Sequence, residues 1–246
     1  MSAVRKRRRA RFKRIVLKLS GEAFQNRQTG ESLSPQVFAA MAEQLHRVHR
    51  LGVQMAIVVG GGNIFRGLAG AHGGMDRSTA DHMGMLATVI NSLALQSALE
   101  ATGIEVRTMT AIAMPAVAEP FIRRRAIRHL EKGRVVIIGA GTGNPFFSTD
   151  TAAALRASEL EAEALLKATK VDGIYAADPK QHPNAQRFDH LTYEDALRRR
   201  LKVMDATAFA LCQENRIPII VFDFFRPDEI LRVICGEKTG TRVDGG

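Results

Sequence analysis

The stretch IVVGGGNIFRG, from Ile57 to Gly67, places three consecutive glycines directly after a run of apolar and β-branched residues. Such a run is typical of a strand buried inside a sheet, and glycine there loses more conformational entropy on folding than any other residue. The glycines therefore indicate a backbone that turns sharply or lies close to a ligand. Phosphate is the first candidate, because N–H groups in a tight turn bind anions.

Apolar strands alternate with amphipathic helices along most of the remaining chain. Strands are predicted at residues 15–19, 55–59, 105–110, 134–138, 164–168 and 217–224, and helices at 35–51, 78–101, 120–132, 151–159, 192–201, 205–215 and 227–234. Several strands are apolar at every residue, which is typical of a sheet covered on both faces. The pattern predicts an α/β fold with a mainly parallel sheet, in which ligands bind at the carboxyl ends of the strands.

The long helix predicted at 78–101 has an apolar stripe at helical spacing. A helix of a globular protein usually turns such a stripe to the core. We therefore expect its buried face to consist of Met83, Leu86, Ile90, Leu93, Ala94 and Ala98.

Length and composition are those of a globular protein, with 246 residues, 46% of them apolar and 24% charged. No apolar run reaches the roughly 18 residues that span a bilayer, and no secretory signal follows the N-terminus. Cys212 and Cys235 match no metal or redox spacing and are expected to be free thiols. These features predict a soluble, cytoplasmic protein without membrane contact.

The segment RKRRRARFKR, at residues 5–14, holds eight basic side chains, which account for most of the net charge of +10. A like-charge block is typical of a disordered, solvated arm, although nucleic acid or another acidic surface would also attract it. We therefore expect a disordered arm at 1–14 and a single folded domain at 15–246.

Four segments at predicted strand ends combine glycine with Lys, Arg, Ser, Thr or Asp. They are KLSGE at 18–22, GGGNIFRG at 60–67, GAGTGNPFFSTD at 139–150 and ATKVDGIYAADP at 168–179. The chain contains neither the phosphate-binding loop with a Gly-Lys pair nor the G-x-G-x-x-G fingerprint of dinucleotide enzymes. Several separate glycine-rich ends indicate that more than one phosphate group is bound.

Phosphoryl transfer suits these residues, because that reaction needs phosphates to be aligned and their charge neutralised. Lys18 can place a point charge at a γ-phosphate, and Arg66 can clamp phosphate oxygens in a fork. Asp150 can orient Lys18, or hold a water of a magnesium ion that bridges phosphates.

The four segments are part of a longer set of motifs that resembles the bacterial uridylate kinases of the amino acid kinase superfamily. The resemblance extends from Arg14 to Thr241, and its motifs are KLSGEA, GGGNIFRG, DHMGMLATVIN, AGTGNPFFSTD, LKATKVDGIYAADP, LKVMDATA and GEKTGT. It implies a three-layer αβα sandwich, with the UMP site in the N-terminal part and the ATP site in the C-terminal part. It also implies direct transfer from ATP to UMP, magnesium held by the nucleotide phosphates rather than by the protein, and a homohexamer.

The resemblance implies a role for individual residues of this sequence. Lys18, Arg66 and Asp150 are the expected catalytic residues. The expected ATP contacts are Lys18, Leu19, Ser20, Gly21, Gly62, Arg66, Thr169, Tyr175 and Asp178. The expected UMP contacts are Gly61, Asp81, Thr142, Gly143, Asn144, Pro145, Phe146, Phe147, Ser148 and Thr149.

Regulation and two other functions remain open at the level of the sequence. The resemblance implies activation by GTP and inhibition by UTP, with Arg27, Gln28, Thr29, Gly30, Glu31, Ser32 and Arg107 as the expected effector contacts. A basic cluster at 123–128 either binds an effector phosphate or faces solvent. The alternatives to UMP phosphorylation are a related kinase acting on a carboxylate or carbamate, and a nucleic-acid-binding protein that uses residues 5–14.

The opening glycines have an expected purpose under the kinase hypothesis. They would let the backbone lie between the donor and acceptor phosphates, where a side chain would block the approach. We therefore expect Gly61→Val to abolish turnover in a protein that stays folded.

Overall fold

The computed structural model describes residues 9–26, 28–67, 73–179, 181–199, 201 and 203–246. The strands are β1 Arg14–Leu19, β2 Gln54–Val59, β3 Val106–Thr110, β4 Glu119–Pro120, β5 Val135–Gly139, β6 Ala164–Thr169, β7 Ile174–Tyr175, β8 Arg187–Phe188, β9 His190–Thr192, β10 Ile219–Asp223 and β11 Thr241–Asp244. The helices are α1 Pro35–His49, α2 Arg77–Glu100, α3 Arg123–Glu131, α4 Thr149–Glu159, α5 Tyr193–Arg198, α6 Ala206–Glu214 and α7 Glu229–Ile234, and a 3-10 turn covers Gly21–Ala23.

Nine of the described strands form one sheet in the order β4-β3-β5-β2-β1-β6-β10-β11-β9. Every neighbouring pair is parallel except β10 and β11. The chain enters the middle of the sheet with β1, builds outward through β2, and later returns to the other side of β1 with β6. This order leaves a crevice at the carboxyl ends of β1 and β6, where open α/β sheets bind ligands.

The two faces of the sheet bury separate hydrophobic cores, because successive strand residues point to opposite faces. In β1, Ile15, Leu17 and Leu19 pack with α1 and α7, whereas Val16 packs on the other face with α4 and α6. All four side chains are fully buried. The predicted three-layer αβα sandwich with a mainly parallel sheet is confirmed.

The folded part of the chain begins before the boundary at residue 14 that the charge run predicts. Residues 1–8 of the predicted arm lie outside the described residues. Phe12 is buried in the core, the Arg11 amide donates to the carbonyl of Ile234 at 2.9 Å, and Arg14 is already in β1. The reason is that Phe12, the one aromatic residue of the basic run, packs in the hydrophobic core beside α7.

The predicted buried face of the long helix α2 is wrong at four of its six residues, whereas Ala94 and Ala98 are partly buried and pack against the core. Met83, Leu86, Ile90 and Leu93 are exposed, and Leu86 keeps 49% of its accessible surface. The face that packs on the sheet consists of Ala80, Met85, Ala87, Thr88, Val89, Asn91, Ser92, Leu95 and Leu99. Small residues on this face, such as Ala87, let the helix backbone lie close to Gly61, so the larger apolar residues are left on the outside.

Two further features agree with the sequence patterns. Across the described residues, no helix is both long and apolar enough to cross a membrane. Cys212 is buried and Cys235 half-buried, and within the described residues neither forms a disulfide, as predicted. Burial raises the pKa of the Cys212 thiol to about 12, which keeps this sulfur protonated and unreactive.

Candidate active site

Two lysines and one aspartate meet at the centre of the sheet, at the carboxyl ends of β1 and β6. Lys18 and Lys167 are paired residues in the register of these parallel strands. Lys18 Nζ lies 2.9 Å from Asp150 Oδ1, and Lys167 Nζ lies 2.5 Å from Asp150 Oδ2. Asp150 belongs to the first turn of α4, and all three side chains are at most 15% exposed.

Burial and charge act in opposite directions on this group. Burial raises the pKa of Asp150, but the nearby charges of Lys18 and Lys167 outweigh it and leave the pKa below its ordinary value. Burial also lowers the pKa of Lys167 to about 8, because the attraction of Asp150 offsets only part of the desolvation. The centre therefore combines an ionised carboxylate with two ammonium groups, one of which loses its proton slightly above neutral pH.

A first cavity of 570 Å³ lies on the α2 side of this centre. The GGGNIFRG segment, the first half of α2, and the loop between β5 and α4 enclose it. Its lining residues are Gly61, Gly62, Phe65, Arg66, Gly67, Arg77, Asp81, Gly84, Met85, Thr88, Gly141, Thr142, Asn144, Phe146, Phe147, Ser148 and Thr149.

The loop at residues 140–148, between β5 and α4, has an unusual backbone and is tied to α2. Ala140 and Phe146 both have positive φ angles, of 61° and 71°, which non-glycine residues rarely adopt. The Phe146 amide donates to Asp81 Oδ2 at 2.8 Å, and Arg77 Nε donates to the same oxygen at 2.8 Å. The Arg77 guanidinium also lies 5.6 Å from the centre of the Phe146 ring, so Asp81 and Arg77 together hold the tip of the loop.

Two further cavities lie on the β6 and β10 side of the centre. The second cavity, of 270 Å³, is lined by Lys18, Ser20, Glu22, Ala23, Lys167, Ala168, Thr169, Lys170, Val171, Phe224 and Phe225. The third, of 530 Å³, shares Val171 with it and is lined by Tyr175 and Asp178 among others. The Tyr175 hydroxyl donates to Asp172 at 2.5 Å. Burial raises the pKa of Asp172, but this hydrogen bond and the guanidinium groups of Arg226 and Arg187 leave it lowered.

The consecutive glycines are required mainly by backbone packing. A Cβ at Gly61 would lie 2.7 Å from the carbonyl oxygen of Gly84 in α2, and one at Gly60 would lie 2.7 Å from the amide nitrogen of Gly21. A Cβ at Gly62 would meet nothing closer than 3.7 Å. The expectation that Gly61→Val leaves the protein folded therefore needs correction, because the valine side chain would collide with the backbone of α2.

Arg66 lines the first cavity, and a carboxylate holds its guanidinium. Glu22, from the 3-10 turn after β1, pairs with Arg66 through one oxygen and with Lys170 through the other, the latter at 2.7 Å. The side chain of Arg66 is 59% exposed. Arg66 and Lys170 thus stand on either side of the Glu22 carboxylate, beside the first and the second cavity.

The structure brings most of the predicted site residues to these cavities. Leu19 and Gly21 are the exceptions among the predicted ATP contacts, because neither lines one of the three cavities. The side chain of Leu19 is fully buried in the core, and its carbonyl accepts from the Gly60 amide. Gly21 lies against Gly62 in the adjoining loop. Gly143 and Pro145 belong to the loop at 140–148 without lining the first cavity.

The predicted effector contacts do not form one cluster. Arg27 lies outside the described residues, and Gln28, Thr29, Gly30, Glu31 and Ser32 follow the 3-10 turn near the glycine loop, where the Ser32 carbonyl accepts from Asn63 at 2.7 Å. Arg107 lies on β3, which β5 and β2 separate from β1, and it faces Glu119 at 3.8 Å.

Reasoning from the sequence missed Lys167, Arg77 and the buried arginine Arg156. Lys167 carried one signal, because it interrupts the otherwise apolar strand ALLKAT, and an isolated lysine in a buried strand is rarely tolerated without a partner. Arg77 and Arg156 carried none, because their importance depends on contacts with residues far away in the chain.

Two carboxylates beside the cavities already face cationic side chains. Asp150 already faces two lysines, and Glu22 faces Arg66 and Lys170. Within the described residues, no group of three or more His, Cys, Asp or Glu side chains could hold a metal ion. The residues present therefore fit magnesium held by phosphate oxygens and water, which is its usual coordination at phosphoryl-transfer sites.

The fold and the site together define the class of protein. A parallel sheet with a lysine–aspartate centre between cavities at a topological switch point is the arrangement of an α/β phosphotransferase. The chain belongs to the amino acid kinase family, whose family model matches residues 13–223.

Solved structures of three UMP or uridylate kinases are similar to this chain. The UMP kinase from Bacillus anthracis is 42% identical, with a TM-score of 0.91 over 95% of this chain and 96% of that chain. The UMP kinase from Ureaplasma parvum is 40% identical, with a TM-score of 0.88 over 95% and 99%. The uridylate kinase from Archaeoglobus fulgidus is 27% identical, with a TM-score of 0.71 over 93% and 99%.

Proposed function

We propose that the chain is a UMP kinase, which transfers the γ-phosphoryl group of ATP to UMP and releases ADP and UDP. The observation that carries the proposal is the position of Lys18 and Lys167 on the shared carboxylate of Asp150, between the first cavity and the second. Similarity to two UMP kinases at 42% and 40% identity over 95% of the chain supports this choice of acceptor.

Each nucleotide has a proposed place. UMP would occupy the first cavity, with its phosphate towards Gly61 and its ribose near Asp81, while Gly62 would face the phosphates of ATP. ATP would place its phosphates in the second cavity, beside Ser20 and Lys170, and its nucleoside in the third. The loop at 140–148 would close over the uracil and ribose of UMP.

The transfer would be direct. An anionic phosphate oxygen of UMP attacks the γ-phosphorus as the bond from that phosphorus to the bridging oxygen of ADP breaks. No general base is required, because the attacking oxygen already carries negative charge near neutral pH. Lys18 and Lys167 would neutralise the charge on the transferring group, and Asp150 would hold both ammonium groups in position without contacting the phosphates.

Magnesium is proposed as the metal that accompanies ATP. Bound between phosphate oxygens, it would neutralise part of the triphosphate charge. Lys18, Lys167 and Lys170 would supply the remaining positive charge from the protein side.

Self-association through α2 is part of the proposal, and a homohexamer is its expected final state. The exposed residues Met83, Leu86, Ile90 and Leu93 recur on one side of the helix. An apolar stripe of this kind on a protein surface is typical of an interface between subunits. A second copy of the chain is the proposed occupant, because the stripes of two copies related by a twofold axis can pack against each other.

Activation by GTP and inhibition by UTP are proposed to act through the segment 28–32. The segment 28–32 is linked to the glycine loop through Asn63, which donates to the Ser32 carbonyl and exchanges hydrogen bonds with the buried Asn91. An effector held at 28–32 would therefore act on the loop beside the phosphates. Contact of the basic arm with nucleic acid is a separate proposal, which deletion of residues 1–8 tests by its effect on RNA and DNA affinity.

A coupled assay of ADP release tests the function. With ATP and magnesium, we expect turnover with UMP and none with glutamate, aspartate or carbamate. Removal of magnesium with a chelator should abolish the reaction. Lys18→Met is expected to lower kcat by at least about 100-fold, as loss of one electrostatic contact in a transition state does.

The matched control is Lys238→Met, since Lys238 is an exposed lysine that precedes β11, a strand three positions from β1 in the sheet order. This variant should keep the activity of the natural chain. Turnover with a carboxylate or carbamate in place of UMP would contradict the proposal, and so would full activity of Lys18→Met.

A further inference from the structure

The loop at 140–148 depends on a buried arginine that lines none of the cavities of the site. Arg156, in α4, has a side chain that is only 5% exposed. Its Nη2 donates to the carbonyl of Gly141 at 3.2 Å, and its Nη1 donates to Glu159 at 2.6 Å. The guanidinium carbon lies 4.1 Å from the centre of the Phe121 ring, so stacking fixes its plane.

The contact falls on the most constrained part of the loop. Ala140 and Gly141 are consecutive residues with φ angles of 61° and 58°, and the alanine costs free energy in this conformation unless its surroundings hold it. Gly141 lines the first cavity. A donor on its carbonyl therefore sets the direction in which the loop leaves β5.

A second side chain holds the same turn from the opposite side. Thr88, in α2, accepts a hydrogen bond from the Ala140 amide at 2.6 Å and donates to the Met85 carbonyl at 2.7 Å. Thr88 is 4% exposed. The turn is thus hydrogen-bonded to both helices: the Ala140 amide donates to Thr88 in α2, and the Gly141 carbonyl accepts from Arg156 in α4.

Burial of the charge on Arg156 is unfavourable. A side chain that only filled space in the core would more simply be apolar. An isolated buried cation costs several kcal/mol unless it is paired and hydrogen-bonded. Arg156 Nε has no hydrogen-bond partner among the described residues. The hydrogen bonds that the guanidinium does form go to Glu159 and to the Gly141 carbonyl.

We propose that Arg156 is a positioning residue for the acceptor nucleotide: it holds the Ala140–Gly141 turn, and through it the loop that covers UMP, without touching either substrate. The inference rests on the proposed function, because the loop closes the cavity assigned to UMP. It extends that function by assigning Arg156 a role different from that of the residues that contact UMP: Arg156 sets the position of the loop that carries them.

The test compares Arg156→Met and Arg156→Lys with the natural chain. Loss of a hydrogen bond to a charged group corresponds to a change of about 10- to 100-fold. We expect KM for UMP to rise by that factor in Arg156→Met, while KM for ATP changes less than about twofold. Arg156→Lys keeps the charge and one donor group, so its KM for UMP should lie between that of the natural chain and that of Arg156→Met.

Hydrogen exchange supplies a readout that does not depend on turnover. In the free protein, amides of residues 140–148 should exchange faster in Arg156→Met, while those of β5 and α4 stay as protected as before. A merely structural role would instead expose α4 itself. If the natural chain did not phosphorylate UMP, the proposed function would fail and the exchange data would still decide the role of Arg156.

Arg128→Met is the matched control, because this arginine is 66% exposed and its ion pair in the described part of the chain is with Glu131 on its own helix α3. It should change neither KM nor the exchange of the loop. If Arg156→Met does not fold, the Lys variant alone decides. Equal rises in both KM values, or unchanged exchange at 140–148, would overturn the proposal.

Discussion

Lys18 and Lys167 are neighbours in the register of two parallel strands, and the carboxylate of Asp150 lies between their ammonium groups at 2.9 and 2.5 Å. Two ammonium groups that both lie beside one carboxylate are close enough to repel each other in an apolar interior. Asp150 compensates this repulsion, so the same carboxylate supports both the fold and the proposed chemistry.

Asp150→Asn should therefore lower stability as well as activity. Removing one partner of a buried ionic group costs about 3–5 kcal/mol, and we expect a loss of this size in the free energy of unfolding at pH 7. Urea denaturation followed by circular dichroism measures it. The control is Asp189→Asn, whose side chain is 87% exposed, and it should cost less than about 1 kcal/mol.

The loss in Asp150→Asn should also depend on pH. Lysines that face no carboxylate are stabilised by losing their protons, so the difference between Asp150→Asn and the natural chain should shrink between pH 7 and pH 9.5. A loss that is equally large at both values would contradict the assignment of the stabilising effect to charge.

The pH dependence of catalysis should report Lys167. Its pKa is lowered to about 8 in the free protein, so it is protonated below this value and neutral above it. Only the protonated form supplies charge to the phosphates. We therefore expect kcat/KM for ATP to fall as pH rises through about 8, since this parameter reports groups of the free enzyme.

Lys167→Arg tests that assignment, because a guanidinium keeps its proton at all these pH values. The alkaline fall should move upward or disappear in this variant, whatever its activity at pH 7. An unchanged alkaline limb would assign the titration to another group.

Gly61 and Gly62 should respond differently to the same substitution. In Gly61→Ala the new Cβ would lie 2.7 Å from the Gly84 carbonyl oxygen and 2.8 Å from the Ala87 Cβ, and overpacking of this kind costs about 1–3 kcal/mol. In Gly62→Ala the nearest atom is 3.7 Å away. Thermal unfolding should therefore show a lowered Tm for Gly61→Ala only, and equal values would contradict the packing explanation.

Arg77→Met should weaken UMP binding selectively. The side chain pairs with Asp81 and stacks on Phe146, and contacts of these two kinds together correspond to about a three- to tenfold change in affinity. We expect KM for UMP to rise by this factor while KM for ATP stays unchanged. Arg47→Met removes a comparable surface pair, that with Asp228, and should alter neither value.

Leu86→Glu combined with Ile90→Glu should prevent self-association through α2. Both side chains are exposed, at 49% and 45%, so the substitution should not disturb the core. Light scattering coupled to size exclusion should show a smaller assembly with an unchanged circular dichroism spectrum. Ser97→Glu, on an exposed position of the same helix, is the control, and an unchanged mass in the double variant would exclude this face as the interface.

Local sequence was sufficient to predict the seven helices of the described residues and the six longer strands β1, β2, β3, β5, β6 and β10, but it missed the short strands β4, β7, β8, β9 and β11. It also predicted the carboxyl ends of the strands as the place where the cavities of the candidate site lie. Apolar runs such as those of β1 and β5 are buried wherever the chain places them, and glycines after a strand mark its carboxyl end. Lys18 and Asp150 could be proposed for the same reason, because each is next to such an end.

Helical periodicity could not predict whether the apolar stripe on α2 faces the core or a partner. The same periodic pattern of apolar residues is found in helices of both kinds. The sheet side of α2 is built from small and polar residues, such as Ala87 and Ser92, because the glycine loop requires close approach. The apolar side chains Leu86 and Ile90 are consequently directed outward.

The sequence by itself determined which residue types stand at the carboxyl ends of the strands, because turn chemistry and strand hydrophobicity are local properties. Only the tertiary structure decided that Lys167 joins Lys18 on Asp150, and that Arg156 reaches Gly141. These contacts join residues that are distant in the chain, and they exist because strand order and helix packing bring the residues together.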